Sequence, residues 1–169
     1  MATPDEMHDL GRRLGELLQA GDLLVLSGPL GAGKTTLTRG IGEALGIRGP
    51  VTSPTFVLAR THPSTVGGPP LVHVDAYRLS SAVELDDLDI DFAGSVVVVE
   101  WGAGLLDGIS DSLLEVAIER PTGGGTAARG GSEDPSAADE DPEAPVEARV
   151  VRITGSGPRW AGGGVLPSS

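Results

Sequence analysis

The chain contains no cysteine, which excludes disulfides, thiol chemistry and any cysteine-based zinc site, and fits a reducing cytoplasm. Aromatic residues are only 3% of its 169 residues, so the core has to be built from Val, Leu, Ile and Ala. The 39% hydrophobic content is enough for that, and the length corresponds to about one domain. Long apolar runs are also missing. LLVL and VVVV are far too short to span a bilayer. The N-terminal MATPDEMHDLGRRLG carries acids where a signal peptide would have a basic flank and an apolar run. These absences predict a soluble cytoplasmic protein without a membrane association.

Positive charge is scarce. The net charge of −12 repels phosphate backbones, so work on a nucleic acid would run through partner proteins. Lys34 is the only lysine in the chain; every other basic residue is arginine. A position that keeps lysine in such a composition needs a compact ammonium on a flexible stem, which fits between phosphates where a planar guanidinium does not.

That lysine lies in SGPLGAGKTTLTRG, Ser27 to Gly40, which matches the phosphate-binding loop pattern from Gly28 to Thr35. The context also matches. LLVLS (23–27) reads as a buried strand, and a helix follows from Lys34 to about Leu45, with Gly46 as its C-cap. In such a loop the backbone N–H groups wrap the phosphates and the following helix adds its positive end. The nucleotide-binding candidates are therefore Gly28, Gly31, Ala32, Gly33, Lys34, Thr35 and Thr36. Lys34 is expected to reach the β- and γ-phosphates and Thr35 to ligate Mg²⁺.

The remaining elements surround this unit. Thr3-Pro4-Asp5-Glu6 is a helix start with a capping box, followed by Met7, Leu10, Leu14, Leu17 and Leu18 at helical spacing, with an end near Ala20-Gly21. TFVLAR (55–60) and PLVHVD (70–75) read as a hairpin, so the sheet should be mixed. Residues 80–91 read as a short acidic helix and turn. SVVVVEW (95–101) is a strand buried on both faces, and 113–120 and 148–154 are two more strands. Between the last two, 121–147 holds seven acids against one arginine and few apolar residues, and is expected to be a disordered acidic insertion. Residues 158–169 are expected to be a flexible C-terminal tail. The prediction is an α/β, three-layer P-loop NTPase-like domain formed by 1–120 and 148–157, with a mixed central sheet and helices on both faces.

A phosphate-binding loop also needs carboxylates at neighbouring strand ends. Asp75 ends LVHVD and Glu100 ends VVVVE, both placed for the rim where open α/β sheets bind ligands. One would organise metal and the other would position or deprotonate the attacking water. Thr55, in SPTF (53–56), is a candidate γ-phosphate sensor, or simply part of a proline turn. His73 faces the same side as Asp75, and a lone histidine there is most simply a packed or hydrogen-bonded residue. Trp101 is placed to cover the site. Arg78 is either a phosphate contact or a surface charge.

GPLGAGKTTLTRG, SPTF, HVDAYRL and VVEW, in this order, resemble the TsaE (YjeE) family, the P-loop ATPase of bacterial tRNA threonylcarbamoyladenosine biosynthesis. The resemblance covers roughly residues 4–120 and resumes near 148–154. It implies a slow Mg²⁺-dependent ATPase acting with TsaD and TsaB, which transfer the threonylcarbamoyl group to adenosine 37 of tRNAs that read codons starting with A. The protein would contact tRNA only indirectly and would not itself carry out the transfer. By this resemblance Lys34 and Asp75 are catalytic, Thr35 and Glu100 hold the metal, and Thr55 and Trp101 belong to the nucleotide site. Asp5 and Glu6 would border the nucleotide. Pro29 stands where Asp is usual and Asp89 where Gly is common, and the insertion is atypical.

Three rivals share the loop. A small-molecule kinase usually has a lid with several arginines, and residues 102–119 contain no basic residue. A GTPase needs N-K-x-D, which a chain with a single lysine at position 34 cannot contain. A nucleotide-sensing subunit without turnover has less need of the paired Asp75 and Glu100, and the family resemblance partly includes that reading, since the nucleotide state could gate partner binding.

Overall fold

The computed structural model describes residues 3–54, 57–120 and 148–162. Helix α1 (Pro4–Gly15) begins as its capping box dictates: the Thr3 hydroxyl accepts from the Glu6 amide at 3.1 Å, and the Glu6 carboxylate accepts from the Thr3 amide. Met7, Leu10 and Leu14 form its buried face. The helix stops at Gly15 rather than near Ala20. The amides of Leu17 and Leu18 turn back to the carbonyls of Leu14 and Gly15, a tightened last turn that continues the apolar spacing without continuing the α-helix.

Strand β1 (Leu23–Ser27) then leads into the loop and helix α2 (Lys34–Ala44), which ends where Gly46 was anticipated to close it. Strand β2 (Ala59–His62) starts four residues later than the sequence pattern suggests. The Pro54 carbonyl accepts the amides of both Val57 and Leu58, and Leu58 adopts a left-handed φ of +65°, so this stretch is a turn. Strand β3 (Leu71–Asp75), the short helix α3 (Ala82–Asp86), β4 (Val96–Glu100), β5 (Leu113–Glu119) and β6 (Val150–Ser156) complete the order. After α3, Asp89 takes φ +53°, the left-handed region that a glycine commonly fills and aspartate tolerates.

The six strands form one mixed sheet in the order β2-β3-β4-β1-β5-β6. The four inner strands are parallel, and β2 and β6 run antiparallel at the edges, β2 on β3 as the expected hairpin and β6 on β5. One face packs on α1 and α2 through Leu24, Leu26, Val98 and Val116. The other packs under Leu85 of α3 and Leu106 through Val25, Val74, Val97 and Val99. Helices α1 and α2 meet at two glycines. A Cβ on Gly11 would come within 2.1 Å of the Leu37 carbonyl oxygen, and one on Gly40 within 2.1 Å of the His8 carbonyl oxygen.

The tail expected from residue 158 begins instead as a fixed turn. Pro158–Trp160 is a short 3₁₀ helix, and Arg159 donates to both oxygens of Asp22, at 3.1 and 3.3 Å, and to the Leu17 carbonyl at 2.8 Å. The Trp160 ring packs against the core, and the charged Arg159 beside it adds a tie that hydrophobic pattern does not reveal. The insertion 121–147 and residues 163–169 lie outside the described residues. Among the described residues no helix is long and apolar enough to cross a membrane.

Candidate nucleotide site

Parallel strands end on the same side, so Ser27, Asp75 and Glu100 reach one rim of the sheet. Glu100 pairs in register with Asp75 on one side and with Leu26 on the other, directly beside the start of the phosphate loop. A cleft of about 870 Å³ opens there. Gly31 to Thr36 line one wall, Asp75, Glu100, Tyr77 and Trp101 another, and Pro4, Asp5 and His8 of α1 a third.

The loop makes its turn at Gly33, whose φ of +108° suits glycine alone and which sits against the Met7 side chain. The first bond of α2 runs from the Leu37 amide to the Gly33 carbonyl at 2.9 Å, so the amides of Gly33, Lys34, Thr35 and Thr36, residues that line the cleft, precede it without an intrahelical acceptor. Lys34 is nearly fully buried, and its Nζ donates to the carbonyls of Gly28 at 2.9 Å and Pro29 at 3.0 Å. The ammonium also lies 4.3 Å from the centroid of the Trp101 ring, which in turn packs edge-on against Tyr77 at 5.5 Å. Burial lowers the Lys34 pKa, and the nearby charges of Glu100 and Asp75 work against that shift. Trp101 itself holds φ +62°, a backbone state costly for a bulky residue, with its amide donated to Leu26.

Glu100 is buried beneath this cover. Its Oε1 lies 2.9 Å from His73 Nε2 and 3.5 Å from the Thr35 hydroxyl. The second distance is too long for a strong hydrogen bond, so the hydroxyl is free to turn to a cation. Asp75 is also buried; its Oδ1 accepts from the Tyr77 amide at 3.0 Å. Among the described residues no three His, Cys, Asp or Glu side chains converge as a cage for a metal. A magnesium ion held largely by phosphates and water needs only one or two protein oxygens. A hard carboxylate beside a threonine hydroxyl at the end of a phosphate loop fits that requirement.

The structure thus brings Lys34, Thr35, Asp75, Glu100 and Trp101 together with the loop residues. Thr55 lies outside the described residues. Asp5 lines the cleft, whereas the Glu6 carboxylate caps α1. Arg78 is exposed and is not among the lining residues. Two arginines escaped the sequence reasoning. Arg120 donates to the Gly31 carbonyl at 2.9 Å, and Arg149 approaches the same oxygen at 3.4 Å. They stand just outside the 102–119 window and on either side of the insertion, so the lack of basic residues in that window is weaker grounds against a kinase than it looked. Their spacing in sequence gives no signal; only the β5–β6 pairing brings them to the loop.

Three comparisons bear on this arrangement. The family model for "Threonylcarbamoyl adenosine biosynthesis protein TsaE" matches residues 1–127. A tRNA threonylcarbamoyladenosine biosynthesis protein TsaE from Streptomyces coelicolor is 53% identical over 158 residues, covering 92% of this chain and 94% of its own. The protein of the same name from Bacillus subtilis is 37% identical over 119 residues, covering 70% of this chain and 74% of its own. Among solved structures, the crystal structure of YdiB from the same genus superposes with a TM-score of 0.57 at 33% identity, over 71% of this chain and 74% of the other.

Proposed function

Since the chain belongs to the TsaE family of tRNA threonylcarbamoyladenosine biosynthesis proteins, we propose that it is the Mg²⁺-dependent ATP-binding and ATP-hydrolysing subunit of that machinery. It acts with TsaD and TsaB and does not catalyse the transfer. The observation that carries this reading is the convergence of Lys34, Thr35 and Glu100 at the end of the phosphate loop.

The residues divide the work by their chemistry. Loop amides from Gly31 to Thr36 cradle the phosphates. Lys34, now spent on the carbonyls of its own loop, exchanges them for β- and γ-phosphate oxygens. Thr35 and Glu100 would hold Mg²⁺, which would supply charge neutralisation to the phosphates. Asp75, beside Glu100 in register, accepts a proton from the attacking water or orients it. Trp101 and Tyr77 shield this group from solvent.

The test is ATP hydrolysis with Mg²⁺, with and without the TsaD–TsaB pair. Low turnover that rises when the pair is added is expected. Turnover indifferent to the pair would overturn the partner dependence. It would favour a small-molecule kinase, a second reading to which Arg120 and Arg149 at the loop lend some support.

A further inference from the structure

His73 takes no part in the chemistry above, yet it is fully buried, in the middle of β3. Its register partners are Arg60 on β2 and Val98 on β4. Alternation along the strands puts His73, Asp75, Val98 and Glu100 on one face of the sheet, so the imidazole lies diagonally beneath the Glu100 carboxylate. Nε2 is 2.9 Å from Glu100 Oε1. A carboxylate only accepts, so Nε2 carries the hydrogen and donates it. Nδ1 has no hydrogen-bond partner among the described residues. A ring that donates through Nε2 can leave Nδ1 bare, so no buried N–H is stranded.

We propose that His73 is a positioning residue: it anchors one oxygen of Glu100 from inside the sheet so that the other faces the cation beside Thr35. Three observations converge on this. Oε1 is the oxygen that both His73 and Thr35 approach, so Oε2 is left over. No arginine or lysine lies within ion-pair distance of Glu100 among the described residues, so the imidazole is its main fixed partner. The glutamate side chain has three rotatable bonds, and without an anchor its oxygens would be spread over several rotamers. A fixed hydrogen bond behind a ligating carboxylate both orients it and tunes its affinity for the ion. The inference rests on reading Glu100 as a metal carboxylate.

Two amide substitutions separate positioning from packing. In His73→Gln the side-chain NH₂ extends about as far as imidazole Nε2 and can reach Oε1. In His73→Asn it stops near the position of Nδ1 and cannot. ATP affinity would be titrated in EDTA and across Mg²⁺ concentrations, with bound Mn²⁺ followed by electron paramagnetic resonance and folding by thermal melting. Both variants should keep the metal-free ATP affinity of the wild type. His73→Asn should need about tenfold more metal for the same gain in affinity, and His73→Gln should recover most of it. Equal metal requirements in the two variants, or a loss of metal-free affinity matching the loss with metal, would overturn the positioning role. A wild-type protein whose ATP affinity ignores Mg²⁺ would overturn the metal reading itself, a distinct outcome.

Discussion

Asp22 at the start of β1 and Glu100 at the end of β4 are buried to the same degree, 6% and 5% exposed, but their surroundings differ. Asp22 is answered completely within the chain: Arg159 binds both oxygens, and the Gln19 amide adds a bond at 2.9 Å. Glu100 has a histidine nitrogen and a distant hydroxyl, and no guanidinium among the described residues. A buried charge without a full partner is costly. At one end of the sheet that cost is removed by a neighbour that holds the last strand in place. At the other end it is left open, in a cleft that also holds a buried ammonium and the strained backbone of Trp101.

Substitutions can break this contrast. The largest effect is expected at the open end: Lys34→Ala should lower ATP turnover about a hundredfold or more, the scale of losing a charge stabiliser in a reacting site, while the melting temperature stays near wild type. A steady-state ATPase assay with a thermal melt checks both. Arg159→Ala should show the reverse, a stability loss of about 2–3 kcal/mol in urea titration with ATP affinity intact. That is below the range for a fully buried pair because the guanidinium is one-third exposed. Glu100→Gln sharpens the comparison further. It removes a charge that is only partly compensated, so stability should change by less than about 1 kcal/mol while the dependence of ATP binding on Mg²⁺ disappears. A large destabilisation would mean that Glu100 is as fully answered as Asp22.

The smallest effect is a pH dependence on β2. Burial lowers the His62 pKa, and His73 and Arg60 push in the same direction. The unfolded chain therefore takes up the proton more readily than the folded one. The associated stability is complete above the ordinary histidine value of 6.5 and is lost as the pH falls. His62→Leu should make the decline in urea midpoint from pH 7 to 5 slightly shallower than in the wild type; an identical decline would remove His62 from the account.

What could be read from the sequence followed from local chemistry. The capping box at Thr3 and Glu6 is complete within four residues, and the strand–loop–helix around Lys34 within about twenty. Asp75 and Glu100 were legible because each ends an aliphatic strand and parallel strands end together. The strand starting at Ala59 was misplaced because Val57 and Leu58 look like strand residues, while the Pro54 carbonyl claims their amides. Arg120, Arg149 and Arg159 stayed hidden because their partners are far away in sequence: Gly31 for the first two, Asp22 for the third. The reading of His73 as hydrogen-bonded held, but its partner, Glu100, could only be named once the register of β3 on β4 was known.

The glycine contact between α1 and α2 has a mechanical consequence. With the backbones of Gly11 and Gly40 this close, neither helix can slide past the other by even a side chain's width without a collision. Helix α2 carries the phosphate loop and α1 carries Pro4, Asp5 and His8, so two of the three walls of the cleft move as one solid frame. Any opening and closing around a nucleotide then falls to the third wall, where Tyr77 and Trp101 stand on the loops after β3 and β4. In this protein the anvil is fixed and the hammer is aromatic.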